Sequence, residues 1–179
     1  MGKLENKLNS PRIKIGILGG TFDPAHKGHL EISKQAKKRF SLKNIVWAIT
    51  KKNPLKSESK SSLKNRIQFA KKLIGKINYI KVNFYEKKIN SNKTIDLIKY
   101  LNKDKKFEIH FIMGADNLIN FHKWHKWKSI SKKCNILVFD RQGYKAKSLK
   151  SVTFNRLSEK KLKFINFKKV NISSSQLRK

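Results

Sequence analysis

The chain has 179 residues, 38% of them hydrophobic and 10% aromatic, enough apolar material for one packed domain, whereas two would be cramped. It carries 44 Lys and Arg against 11 Asp and Glu, a formal charge of +33, and a single cysteine, Cys134. That composition excludes a disordered chain, an internal disulfide and a multi-cysteine zinc site, and no apolar run approaches the length that crosses a bilayer.

Residues 1–11 read as a loose polar arm without the apolar core of a secretion signal, so the expected location is the cytoplasm. Residues 12–18 form an apolar, β-branched run that predicts a buried strand. Gly19-Gly20-Thr21-Phe22-Asp23-Pro24-Ala25-His26-Lys27-Gly28-His29 follows, and Ile32, Ala36 and Phe40 then recur every four residues, predicting a helix over 28–40. A strand, a glycine turn and a helix whose first turn holds His26, Gly28 and His29 make an anion site. Glycines at 19, 20 and 28 let the backbone approach a ligand, and the helix start adds partial positive charge. Two imidazoles one turn apart can both face the same phosphate. By itself, a strand–glycine–helix turn is also common packing chemistry.

Asn44 to Thr50 predicts a second strand, parallel to the first through the intervening helix. Lys51 to Ser57 is a loop at the carboxyl end of that strand, broken by Pro54. Ligands of α/β sheets sit at this edge, so Lys56 is placed to meet a phosphate from the side opposite the histidines. A helix capped by Ser61 or Ser62 follows, with Leu63, Ile67, Ala70 and Ile74 on one face and Gly75 as terminator. It reads as scaffold. Ile77 to Phe84 reads as a strand, and Asn92 or Thr94 as the cap of a helix burying Ile95, Ile98 and Leu101.

Phe107 to Met113 is the clearest internal strand and ends in Gly114-Ala115-Asp116, again at the ligand-bearing edge. Leu118, Phe121, Trp124 and Trp127 then follow at near-helical spacing, a pattern of core packing. Cys134 to Asp140 predicts a strand, with Arg141 and Gly143 in the turn after it. Residues 144–162 read as loop with at most one helix, and Phe164 to Phe167 as a last short strand. The chain closes on Ser173-Ser174-Ser175-Gln176-Leu177-Arg178, where hydroxyls at a helix start and an arginine one turn on suit an anion.

His26-Lys27-Gly28-His29, with Thr21 upstream, resembles the T/HxGH signature of the nucleotidyltransferase superfamily, and the longer Gly19–His29 string is similar to that of the bacterial nicotinate-nucleotide adenylyltransferases. Four further segments resemble that family in its order: Asn53-Pro54-Leu55-Lys56, Thr94-Ile95-Asp96, Gly114 to Leu118 with Phe121 to Trp127, and the closing serines with Arg178. The resemblance implies an α/β, Rossmann-like parallel sheet with helices on both faces, in one domain over 1–179. It implies transfer of an adenylyl group from ATP to nicotinate mononucleotide, releasing pyrophosphate. His26, His29, Lys56 and Arg178 would be catalytic. Gly19, Gly20, Thr21, Phe22, Gly28, Gly114, Asp116, Ser174 and Ser175 would bind ATP and its phosphates. Thr94, Trp124 and His125 would hold the mononucleotide, although His125 stands where many relatives carry tyrosine. Mg²⁺ would be held mainly by the ATP phosphates, with no protein metal ligand; Asp23 and Asp116 are acidic residues near the edge without a firm claim to that role.

The partners implied are ATP and nicotinate mononucleotide, with no membrane, and a homo-oligomer stays open. The charge suggests nucleic acid, but the cations are nearly all lysine, with arginine only at 12, 39, 66, 141, 156 and 178, and they are spread along the chain. Arginine is the better residue for bidentate phosphate and base contacts, so codon bias explains the lysines better than nucleic-acid binding does. The rival readings are another transferase of the superfamily, for phosphopantetheine adenylylation or cytidylyl transfer, and a basic nucleic-acid-binding module on the same fold.

Overall fold

The computed structural model describes residues 11–53 and 58–166. Six parallel strands form one sheet, β1 (Ile13–Gly20), β2 (Asn44–Ile49), β3 (Ile80–Asn83), β4 (Phe107–Gly114), β5 (Asn135–Phe139) and β6 (Leu162–Ile165), in the spatial order β3-β2-β1-β4-β5-β6. The order reverses between β1 and β4, which pair from Ile13 with Phe107 to Leu18 with Ile112. Such a switch point opens a crevice at the carboxyl ends of the two central strands. Gly20 and Gly114 are those ends.

Alternation along β1 assigns the two faces. Ile15 and Ile17 enter a core with Ile109, Phe111 and Met113 of β4, while Leu18 enters the opposite one with Ile45, Trp47 and Ile112. Helices α1 (Lys27–Phe40) and α2 (Leu63–Ile74) cover the second core through Ala36, Ala70 and Ile74. The first core is covered by α4 (Thr94–Leu101), α5 (Ala115–Asn120) and α6 (Trp127–Lys133), through Ile95, Ile98, Leu118 and Ile130. A one-turn helix, α3 (Glu86–Ile89), precedes α4, and a 3₁₀ turn, Phe121–Lys123, joins α5 to α6. The expected α/β sheet with helices on both faces is the architecture found. Gly16 fits because β1 is closely packed: a Cβ there would lie 2.9 Å from Ile112 Cδ1 and from Leu42 Cδ1. Cys134 is buried between α6 and β5, its thiol donating to the Ile130 carbonyl at 3.2 Å.

Local chemistry explains most boundaries. Ser62 caps α2 by accepting from Asn65 N at 3.2 Å, and Gly75, at φ 56°, ends it. Four expectations are corrected. The strand expected over 77–84 shrinks to Ile80–Asn83, because Ile77 N is bound to Ile74 O in the turn leaving α2 and β2 pairs only over Ile45–Ala48. The cap of α4 is neither Asn92 nor Thr94. Lys93 holds that position, and Ser91 braces the turn by accepting from Lys93 N and donating to Asp96 Oδ2. Residues 144–162 hold two short helices, α7 (Lys145–Leu149) and α8 (Val152–Arg156), the second capped by Ser151. Strand β6 also begins two residues before its expected start.

Candidate active site

The Gly19–His29 turn leaves β1 at the switch point. Phe22 takes a left-handed backbone (φ 49°), and the Asp23–Pro24 peptide is cis. The turn folds the Phe22 ring into the core, 2% exposed, where it stacks on Trp47 at 5.0 Å and 21°. His29 rests on this pair, its ring 4.7 Å from Phe22 and 5.8 Å from Trp47. Ser33 ties the support to α1, accepting from Trp47 Nε1 and donating to the His29 carbonyl, both at 2.8 Å.

His26 begins α1 from an extended conformation, and its ring lies 3.9 Å from that of His29. Its backbone N–H donates to His29 Nδ1 at 3.1 Å. With Nδ1 taken up as an acceptor, Nε2 is left as the donor of the His29 ring. Burial, and then the Arg141 charge, push the His26 pKa down from 6.5 to about 4. His26 is therefore neutral near pH 7, and its buried Nδ1 has no hydrogen-bond partner among the described residues. Two imidazoles held side by side, with His26 kept neutral, can donate to the oxygens of one anion without the mutual repulsion of two cations.

Gly19 and Gly20 do not have positive φ. A Cβ at Gly19 would meet nothing nearer than the Phe111 ring at 3.5 Å, and one at Gly20 would touch the Phe22 ring at 3.5 Å. Neither backbone strain nor packing demands glycine there. Across the switch point, Asp116 in the first turn of α5 pairs with Arg141 at 2.6 Å, Oδ2 to Nη1. A Cβ on Gly114 would lie 2.5 Å from Asp116 Oδ1, so this glycine makes room for the carboxylate. The Arg141 guanidinium also lies over the Tyr144 ring, 5.6 Å from its centroid.

Gly28 is buried in α1, and Thr21 is half-buried in the turn. Thr94 is the first residue of α4, and Trp124 lies between the 3₁₀ turn and α6. The Trp124 ring packs edge-on against Phe111 and Phe121 at 6.0 and 5.2 Å, and His125 is exposed. Asp23 is 1% exposed and accepts from Lys60 N at 2.7 Å and Ser61 N at 3.3 Å, an anchoring role. Lys56, Ser174, Ser175 and Arg178 lie outside the described residues.

Two arginines here, Arg141 and Arg66, are not marked by any motif of the sequence. Arg141 directly follows β5 at the same edge that singled out Gly114 and Asp116, a signal that position alone carried. Arg66 projects from α2 beneath the turn. It stands three residues after Leu63 and one before Ile67, on the apolar stripe, where a cation has no reason to be unless it is bound.

The sequence pattern of the cytidylyltransferase-like family matches residues 17–179. The chain is 79% identical over all its 179 residues to the probable nicotinate-nucleotide adenylyltransferase of Pelagibacter ubique (strain HTCC1062), covering 99% of that protein. It is 36% identical over 150 residues to the protein of the same description from Agrobacterium fabrum, matching 83% of this chain and 80% of the relative. The fold is shared with a solved Plasmodium falciparum nicotinic acid mononucleotide adenylyltransferase complexed with NaAD, at a TM-score of 0.73 and 21% identity, over 92% of this chain and 82% of that one. The chain belongs to the nicotinate-nucleotide adenylyltransferase family, within the cytidylyltransferase-like nucleotidyltransferases.

Proposed function

We propose that the protein transfers the adenylyl group of ATP to nicotinate mononucleotide, forming nicotinate adenine dinucleotide and pyrophosphate. The observation that carries this reading is the His26–His29 pair, two imidazoles 3.9 Å apart at the head of α1, beside the switch point. An oxygen of the mononucleotide phosphate attacks the α-phosphorus of ATP in line, and the bond to the β-phosphate oxygen breaks as pyrophosphate leaves. That attacking group has a second pKa of ~6 and is already ionised near pH 7, so no strong general base is required. The chain's work is to place two anions in line and to donate to the charge that grows on the reacting oxygens.

In this reading His26 and His29 donate to oxygens around the α-phosphorus, and Arg141 adds positive charge from the β5 side. Gly19, Gly20 and Gly28 allow close approach of the nucleotide, with Thr21, Phe22, Gly114 and Asp116 shaping its site. Lys56, Ser174, Ser175 and Arg178 take the β- and γ-phosphates. Thr94, Trp124 and His125 receive the nicotinate end, the edge-on support behind Trp124 favouring a fixed ring. Asp23 is bound to two backbone amides and Asp116 to Arg141. The protein residues here therefore fit a Mg²⁺ held by the ATP phosphates, whose charge it would partly neutralise. The proposed place of this reaction is the cytoplasm. Among the described residues no helix is long and apolar enough to cross a membrane.

The test is pyrophosphate release from ATP and Mg²⁺ with nicotinate or nicotinamide mononucleotide in parallel. Faster release with the nicotinate form is expected; a preference for the amide overturns the specificity, and no release with either overturns the activity. His29→Ala should lower kcat by roughly 100- to 1,000-fold, the effect of losing one preorganised donor, with the fold intact.

A further inference from the structure

Arg66 is 3% exposed, yet among the described residues its guanidinium makes no hydrogen bond to a carboxylate. It donates to four main-chain carbonyls: Nε to Ser61 O at 3.1 Å, Nη1 to Thr21 O at 2.6 Å and to Thr50 O at 2.8 Å, and Nη2 to Lys51 O at 3.1 Å. Those oxygens come from three separate segments, the turn after β1, the exit of β2 and the approach to α2. Two carboxylates act on the amides of the same segments. Asp23 accepts from Lys60 N and Ser61 N, and Glu86 accepts from Lys51 N at 3.0 Å and from the Thr50 hydroxyl.

A buried cation is a poor choice for packing alone, since an apolar side chain of similar volume fills space without losing hydration. What a guanidinium alone offers is a rigid fork of donors that fixes several acceptors at set angles. Three of the acceptors, the carbonyls of Thr21, Thr50 and Lys51, belong to the segments that leave β1 and β2 at the sheet edge where the proposed site receives a polyanion. A free carbonyl oxygen turned toward that site would repel phosphate. Bound to a buried guanidinium, the Thr21 oxygen points inward, and the residue that follows it, Phe22, is the one whose ring supports His29.

We propose that Arg66 is a positioning residue for the transfer reaction: by holding the Thr21 carbonyl inward together with those of Thr50 and Lys51, it fixes the turn that presents His26 and His29 to the reacting phosphate. This rests on the adenylyl-transfer reading above. It predicts a loss in kcat more than in KM, because the histidines act on charge that develops during reaction.

The experiment measures pyrophosphate release and thermal melting for the wild type, Arg66→Ala and Arg66→Lys, with and without about 20 mM guanidinium, a small cation of the size that truncation removes. Expected are a cooperative melt for Arg66→Ala, a kcat at least about 30-fold below wild type with both KM values within about threefold, and at least fivefold recovery with guanidinium but not with sodium at equal concentration. If Arg66→Ala does not fold, Arg66→Lys carries the test. It keeps the charge but not the fork, and kcat should still fall about tenfold at near-normal KM. A folded variant with wild-type kcat, a loss confined to KM, or failure of both variants to fold would each overturn the proposal and leave Arg66 a structural residue. A wild type that releases no pyrophosphate removes the transfer reading itself, and this inference with it.

Discussion

Burial and Arg141 hold His26 neutral well below the ordinary range, and this has a consequence for stability. With a folded pKa of about 4 against 6.5 in the unfolded chain, the unfolded state binds the proton first as pH falls. The stability contributed by the neutral ring is complete above about pH 6.5 and is lost between there and pH 4. Melting temperature should drop across that window, and His26→Gln should flatten the drop. At Gly19 ligand approach and packing can be separated. Because the protein leaves room for a Cβ there, Gly19→Ala should melt within about 2 °C of wild type while kcat/KM for ATP falls by about tenfold or more, read from melting curves and initial rates. An equal loss of both would mean that packing, not ligand approach, selects the glycine. The residues legible from sequence are those whose neighbours in the chain are also their neighbours in space: His26, Gly28 and His29 share one helical turn. Arg66 and Arg141 were not legible in this way. Their partners, Thr21 and Thr50 for one and Asp116 for the other, lie far along the chain, and six arginines' worth of signal is faint among so many lysines.

Elements were legible where one local force dominates. The β-branched run of β1, the fourfold spacing of α1 and the Ser62–Gly75 brackets of α2 each point to a single structure. Ser62→Ala should therefore cost about 1 kcal/mol in a denaturant titration, the ordinary value of a lost cap, with unchanged kcat. A change in kcat would mean that the cap also orders the neighbouring Ser61–Asp23 contact. Strand β3 was overestimated because β-rich composition says nothing about how many residues the neighbouring strand can pair. Two helices, α7 and α8, stand where at most one was expected, for the opposite reason. Each has five residues, too short for a period to show, and Ser151 as a cap is visible only once the helix is known. The cap of α4 turned on Ser91, which acts across a turn and not from the position before the helix.

For the molecule as a whole, the excess of positive charge sets how anionic substrates arrive. Attraction of ATP to a body of formal charge +33 is long-ranged and screened by salt over about 8–10 Å at physiological strength. The KM for ATP should rise several-fold between about 20 and 300 mM NaCl while kcat changes little, in steady-state rates at fixed Mg²⁺. An insensitive KM would confine the field's role to solubility. The sheet order lets distant parts of the chain serve one edge, which is why the fold could be inferred from the succession of strands and helices while the contacts across that edge could not. The buried sulfur between α6 and β5 gives this molecule one more property. Desolvation pushes the Cys134 thiol up to about 12, so hardly any nucleophilic thiolate exists in the native state. Iodoacetamide should leave the folded enzyme unmarked and tag it, once per chain, only when the body opens. Alkylation rate thus becomes a clock for conformational opening that works without added probes, and a substrate that tightens the protein should slow it.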